Sequence, residues 1–505
     1  MQEKALIAAA PPSIRLLTTS RTALALVVLY AAIICFYAVP LLTLRTLIPH
    51  TPHTQVAVSV GFCVVVLTCG WRYQSRIVDV ANRAISWMAK FDPPNWFAFC
   101  VLVGMAVRLG WILAFPAEPV SDGAVYVALA RRLISGAPYE IANTRAYWPP
   151  GYPLFLCPWL ALIPHQAISI ALSNIALFLV GIVGVWKLSG ALCGLSASAF
   201  AVMLFALWPN LIFQVGMPEK EQLLASLLPW IVFLTTARSV ARPANWQWLV
   251  AGCILGFCTL TQPLLQLFPL VLLASGVLRG TPAPTLLTQF VALAIGMTTV
   301  IAPWTLRNYT VFDRFVIVST NGGSAMYRAN NPLATGGYTP AGEFNLELLP
   351  EVDADDVGRK LAREWIVANP AAFGRLAFEK NVRFMGDDAV GAYQTLHNGR
   401  AGQKSAAYIF FKGTANMYWM FLWLGILVAL IDLARNREKI PASVLTLFLT
   451  FVYFFSIHSV AESAGKYHVV LAGILAVLLS TLIHLERKQE KSGTLTASIL
   501  KRSIK

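Results

Sequence analysis

Charge is scarce in this sequence. Of 505 residues only 12% are Asp, Glu, Lys or Arg, while 57% are hydrophobic. An ordinary soluble protein carries about 25% charged residues, so a soluble enzyme and a disordered chain are both excluded. The little charge there is leans positive, 39 Lys and Arg against 24 Asp and Glu, a formal net charge of +15. In a membrane protein such an excess belongs to cytoplasmic loops, so no nucleic-acid partner is expected. All eight cysteines lie in apolar stretches and none follows Cys258. The later polar region therefore has no disulfide framework and no Cys-based metal site. A Walker-type phosphate loop is missing, as is any internal repeat of the kind that builds transporters from two halves. No cofactor motif is present; a divalent metal is left as an open alternative.

Long apolar runs are what the chain has instead. A helical span needs about 20 mostly apolar residues. Such runs fall near 22–42, 54–71, 95–115, 166–187, 196–214, 221–237, 246–262, 264–278, 286–304, 415–433, 441–458 and 468–485. They predict an all-helical polytopic membrane protein of about twelve spans, with Pro-rich 152–164 as a further segment that enters the bilayer or not. The first run is too long for a cleaved signal peptide. Residues 1–94 hold the N-terminal spans, 95–304 a transmembrane core with a first outer loop at 116–165, and 305–414 an outer domain. The last spans occupy 415–485 and a basic cytoplasmic tail 486–505.

Orientation follows from the basic residues. With the N-terminus inside, Arg72, Arg76, Arg83, Lys90, Lys187, Arg238, Arg242, Arg279, Arg435, Arg437, Lys439 and the tail all fall on the inner side. The short outer loops carry only Arg45, Lys220 and Lys466. Most carboxylates then lie outside, among them Glu118, Asp122, Glu140, Glu219, Glu221 and Glu462. Residues 72–94 read as an interfacial amphipathic helix stopped by Pro93-Pro94. Between 305 and 414, Asn-Gly and Asn-Pro turns and a charged helical stretch predict a small mixed α/β domain.

The first outer loop carries the strongest signal. Asp122 lies a few residues beyond the third run, and Val125, Leu129 and Leu133 form a helical stripe after it. Ser121 or Asp122 suits an N-cap and Gly136 a helix end. The functional alternative for Asp122 is a carboxylate at headgroup level that accepts a proton from a hydroxyl.

Residues S-D-G-A-x-Y-x-x-L-A (121–130), G-x-P-Y (136–139) and W-P-P-G-Y-P (148–153) together resemble the first outer loop of family 39 glycosyltransferases. These are GT-C fold enzymes related to protein O-mannosyltransferases and to the lipid A aminoarabinose transferase. L-T-Q-P (260–263), A-P-W-T-L-R-N-Y-T-V-F-D (302–313), S-T-N-G-G with A-N-N-P (319–332) and H-S-V-A-E-S-A-G-K-Y-H (458–468) are similar to later elements of that family, in the same order. The resemblance implies a transferase with a polyprenyl-phosphate sugar donor and a catalytic base at Asp122. Gly123 stands where many members have a second acid, and Trp148 where some have a Lys near the donor phosphate. Lys466 matches an Arg of the family, and Glu219 a position that often holds an acid able to bind sugar hydroxyls or a cation.

A leaving phosphate calls for Arg or Lys in a poorly hydrated site. Lys466, Arg145 and Arg307 are the outer-side candidates, and headgroup contact by snorkelling is the alternative for each. Glu221 reads as a helix N-terminal acid. His458 and His468 are too few for a zinc site. Tyr126, Tyr139 and Tyr152 are the sugar-stacking candidates. The sequon Asn308-Tyr309-Thr310 lies too near the membrane for use. The expected function is transfer of a sugar, with inversion, from a polyprenyl phosphate to a glycan, lipid or protein acceptor on the outer (periplasmic) face of the cell inner membrane. A lipid-sugar flippase and a noncatalytic scaffold are the rivals; the first needs intramembrane charges, and Arg108 is nearly the only one well inside a run.

Overall fold

A computed structural model describes residues 52–88, 90–236, 245–338, 344–397, 405–436 and 440–484. The expected 22–42 span and the basic tail lie outside the described residues. Helix α1, Pro52–Met88, runs unbroken through the 54–71 span and the expected amphipathic segment. Pro93 and Pro94 therefore do not stop that helix. They open α2, Pro93–Ala114, where a missing N–H costs nothing.

After α2 come α3 (Ser121–Ile134), α4 (Gly151–Leu162), α5 (Gln166–Cys193) and α6 (Leu195–Ala206). They are followed by α7 (Pro209–Phe213), α8 (Lys220–Thr236), α9 (Asn245–Thr261), α10 (Phe268–Leu278) and α11 (Ala283–Phe312). The outer segment holds α12 (Gly322–Ala329), α13 (Glu351–Ala368) and α14 (Pro370–Gly386). Helices α15 (Ala406–Arg435), α16 (Ala442–Val460) and α17 (Gly465–His484, opened by a 3-10 turn) return to the apolar body.

Six described helices are long and apolar enough to cross a membrane: α2, α5, α11, α15, α16 and α17. The expected run 196–214 is split because Pro209 starts a new helix after Trp208. Run 264–278 starts with a 3-10 turn at Pro263–Leu267. The expected α/β character of 305–414 is absent among the described residues: helices and turns fill it, and no strand forms. Its Gly-Asn punctuation ends and starts helices rather than bending strands.

Burial sorts the helices. The apolar window of α17 is 89% buried and that of α5 67%, against 22% for α2. Helix α17 is thus the axis of the body, and α2 keeps an apolar face free for lipid, which needs no polar stripe. Helices α9 and α11 meet backbone to backbone, since a Cβ on Gly252 or Gly296 would strike the carbonyl of Leu293 or Leu249. Small residues four apart are the usual means of such approach in membranes. Arg108 is buried in α2 with no carboxylate beside it among the described residues. Its Nη1 donates to the carbonyls of Gly104 (3.0 Å) and Ala206 (2.8 Å), and its guanidinium lies 3.8 Å over Phe178. It joins α2 to the end of α6.

Residues 305–414 are tied to the first loop and to the body. Tyr327, Leu346, Ala354 and Ala362 form its small core. Glu351 accepts hydrogen bonds from the backbone N–H of Arg145 (2.7 Å) and Ala146 (2.8 Å) and from the Thr320 hydroxyl (2.5 Å). Buried Lys380 donates to Asn330 Oδ1 (2.7 Å) and to the carbonyl of Val460 (2.8 Å), at the end of α16. Burial lowers its pKa to about 7.

Candidate active site

Helix α3 starts from extended Val120 through Ser121, whose φ of 50° is left-handed. A non-glycine residue there costs about 1–3 kcal/mol. The turn brings Asp122 into the first helical turn without making it a cap, for no side-chain capping bond forms. The capping alternative, for Ser121 and for Asp122, is overturned. Gly136 ends the helix as expected, with φ of 71° and the paired bonds of a Schellman motif, Ala137 N–H to Arg132 O and Gly136 N–H to Leu133 O.

The Asp122 carboxylate faces two donors instead. Lys466 Nζ stands 3.6 Å from Oδ2, and Trp148 Nε1 points at Oδ1 from 3.5 Å. The Asp122 side chain is 43% exposed and that of Lys466 22%. Burial pushes the carboxyl pKa up, but the charges of Lys466 and Lys220 and the two side-chain bonds outweigh it. The net result holds Asp122 below its ordinary 3.8. A Cβ at Gly123 would come within 3.0 Å of Pro218 Cγ, so proline occupies the space a second acid would need.

Lys466 is seated by its neighbours. A Cβ on Gly465 would strike the carbonyl of Asp387, so the chain passes there only as glycine. On the other side Tyr467 stacks on His458, centroids 4.6 Å apart. Gly151 plays the same part in the loop: its Cβ position is 2.7 Å from Thr261 N. The W-P-P-G and L-T-Q-P motifs thus meet in space.

Glu219, at the foot of α8, is buried and accepts from Gln394 Nε2 at 2.6 Å. Burial, then the neighbouring Glu221, pushes its pKa up to about 8, so it carries a proton at neutral pH. Glu221 is 1% exposed, and neither carboxylate oxygen has a partner among the described residues. A raised folded-state pKa gives stability at low pH that is lost as pH rises from the ordinary 4.5 through about 8. Glu219→Gln, which keeps the Gln394 bond and cannot ionise, should therefore be more stable than wild type above pH 8. Thermal melts should show the gap growing between about pH 4.5 and 8 and vanishing in acid; a constant gap would show that ionisation of Glu219 plays no part.

Of the other expected residues, Tyr126 and Tyr152 adjoin these carboxylates, while Tyr139, Arg307 and Arg145 lie in a different setting. Tyr126 and Tyr152 are buried edge to face, centroids 5.3 Å apart, and the Tyr152 hydroxyl has no partner among the described residues. Tyr139 is buried, donates to the carbonyls of Trp148 (3.0 Å) and Pro149 (3.2 Å), and meets Trp304 edge-on. Arg307 donates to the carbonyls of Arg145 (2.8 Å) and Tyr139 (3.2 Å) and to Asn308 Oδ1 (3.0 Å). Exposed Arg145 lies over the Phe312 ring. The contacts of Tyr139, Arg307 and Arg145 brace the loop against α11, whereas Tyr126 and Tyr152 border the mutually interacting group of Asp122, Glu219, Glu221 and Lys466.

Sequence reasoning missed a second buried cluster. Asp388 accepts from Trp208 Nε1 (2.8 Å), Asn210 Nδ2 (2.7 Å) and His468 Nε2 (3.0 Å). His468 stacks flat on Trp419, centroids 4.1 Å apart. His468 is thus an interior residue, and His458 is buried as well. The signal was two adjacent acids, Asp387-Asp388, where the outer segment returns to an apolar run. Among the described residues no group of three or more His, Cys, Asp or Glu is placed to hold a metal ion.

No family model and no curated protein matches the sequence. Among solved structures, the chain is similar to the archaeal oligosaccharyltransferase AglB from Archaeoglobus fulgidus in complex with an inhibitory peptide and a dolichol-phosphate. The TM-score is 0.47 at 14% identity, over 80% of this chain and 52% of that one. It is also similar to ArnT from Cupriavidus metallidurans bound to undecaprenyl phosphate, with a TM-score of 0.40 at 12% identity, over 77% of this chain and 76% of that one. The chain spans about half the length of the oligosaccharyltransferase it matches.

Proposed function

We propose that this protein is a GT-C membrane glycosyltransferase that moves a sugar from a polyprenyl-phosphate donor to a hydroxyl acceptor on the outer face of the cytoplasmic membrane. The observation that carries the reading is the Asp122–Lys466 pair. A half-exposed carboxylate, kept ionised and free of any capping duty, stands beside a lysine at the foot of an outer loop. Asp122 takes the proton of the acceptor hydroxyl. The acceptor oxygen attacks the anomeric carbon as the bond from that carbon to the phosphate oxygen breaks. The electron pair leaves with the polyprenyl phosphate, and the configuration inverts. Lys466 stabilises the charge that grows on the departing phosphate. Glu219 and Glu221 belong to the same group, and Glu219, protonated, is suited to donate to a sugar hydroxyl.

The test is purified protein assayed with a panel of polyprenyl-phosphate sugars. Release of free polyprenyl phosphate that depends on an acceptor supports the reading, and none across the panel would sink it. Topology is checked separately: a reporter fused after residue 240 or 437 should read cytoplasmic, and one inserted near residue 345 external. An external signal at 437 would put Asp122 on the wrong side for an outer-face reaction.

A further inference from the structure

A cavity of about 560 Å³ opens between the segment after α14 and the starts of α15 and α17. That volume falls in the range of small-molecule sites, about 300–1,000 Å³. Asp387, Tyr393, Tyr408, Lys412 and Lys466 supply its polar lining, with Gly465 in the wall. Two ammonium groups on separate helices thus border one space, and one of them is the lysine that faces Asp122. Lys412 Nζ is held by Asp387 Oδ2 at 3.1 Å, with side chains 39% and 44% exposed. A pair so open to solvent is weak, too weak to resist a competing dianion. Lys412 Nζ also lies over the Tyr408 ring, 5.8 Å from its centroid.

We propose that this cavity is a phosphate-monoester subsite in which Lys412, given up by Asp387, joins Lys466 around the anion. Asp387 acts as a place-holder that neutralises Lys412 while the site is empty. Asp387 after α14, Lys412 on α15 and Lys466 on α17 define the exchange: the carboxylate swings away, the Lys412 ammonium turns inward, and the phosphate oxygens take the bonds the carboxylate gave. The inference deepens the proposed reaction by adding a second cation for the polyprenyl phosphate that leaves. It rests on that reading only for the identity of the lipid.

The test is equilibrium binding to the full-length protein in detergent, with a short-chain polyprenyl monophosphate lacking sugar as probe. The matching polyprenol and inorganic phosphate serve as the other arms. Lys412→Gln should weaken the monophosphate about tenfold, the loss of one charge-assisted bond. Asp387→Asn should tighten it several-fold, since the competitor is gone, and Lys412→Arg should retain most of the affinity. The polyprenol should respond to none of these. An effect on the lipid monophosphate alone assigns the subsite to a lipid headgroup; an equal effect on inorganic phosphate assigns it to phosphate of any source. Opposite signs for the lysine and aspartate variants, with unchanged melting temperatures, are the signature. If both variants weaken binding, or neither alters it, the pair is a surface contact and the proposal fails. Because binding rather than transfer is read, a protein that responds in this way yet transfers no sugar would overturn the proposed reaction and leave the subsite standing.

Discussion

Asp122→Asn should give a folded protein of normal abundance whose transfer rate is reduced at least about a hundredfold, since general-base catalysis contributes roughly 10²–10⁴-fold. The substitution is nearly isosteric, and the amide oxygen can still accept from Trp148. The helix loses no cap, because Asp122 makes no capping bond. The ion pair with Lys466 is lost, but a partly exposed pair is worth about 0–1 kcal/mol, so melting should shift little. What disappears is the ability to take a proton. Asp122→Glu should restore only part of the rate, because an extra methylene moves the base from its place near the acceptor. The pH profile supplies an independent reading: with its pKa held below the ordinary 3.8, wild-type activity should stay level until the solution is more acidic than that. Wild-type turnover in a stable Asp122→Asn protein would end the assignment of a base at this position.

Lys466→Ala should impair donor use by about a hundredfold, the usual cost of removing one group that stabilises transition-state charge. It should also move the acid limb of the profile upward, because Lys466 is the largest influence lowering the Asp122 pKa against the effect of burial. Lys466→Arg should keep much of the rate and leave the limb near its wild-type place. Two readouts separate the roles: a lysine that merely anchors to lipid headgroups would shift neither. Full activity of the alanine variant at low donor concentration would remove Lys466 from the reaction.

Membrane class and most helix positions were legible because apolar runs of about 20 residues have few other uses. Breaks were not, since 196–214 reads as one run and only packing around Trp208 and Pro209 divides it. The continuity of α1 was hidden for a related reason: basic residues in 72–88 look like an end, yet a helix can cross from lipid to water without one. In the site, Asp122 and Lys466 were both named, and the structure brings them together. Their separation of more than three hundred residues carried no hint of contact; only matching order along the chain suggested it. Arg307 and Tyr139 illustrate the opposite limit. Charge and aromaticity marked them for chemistry, whereas their donors are taken by backbone carbonyls of the loop. The Asp388–His468 pair escaped notice because eighty residues separate two groups whose value to each other is visible only in three dimensions.

Glu351 couples residues 305–414 to the proposed reaction centre. One carboxylate at the first turn of α13 grips the loop at Arg145 and Ala146, and Trp148, which touches Asp122, follows two residues later. A displacement of α13 has a short path through these hydrogen bonds to the Asp122 carboxylate. An acceptor that docks on the outer segment would thus set the alignment of the base as it arrives, so the fidelity of acceptor choice and the speed of transfer are features of one linkage and would be expected to evolve together.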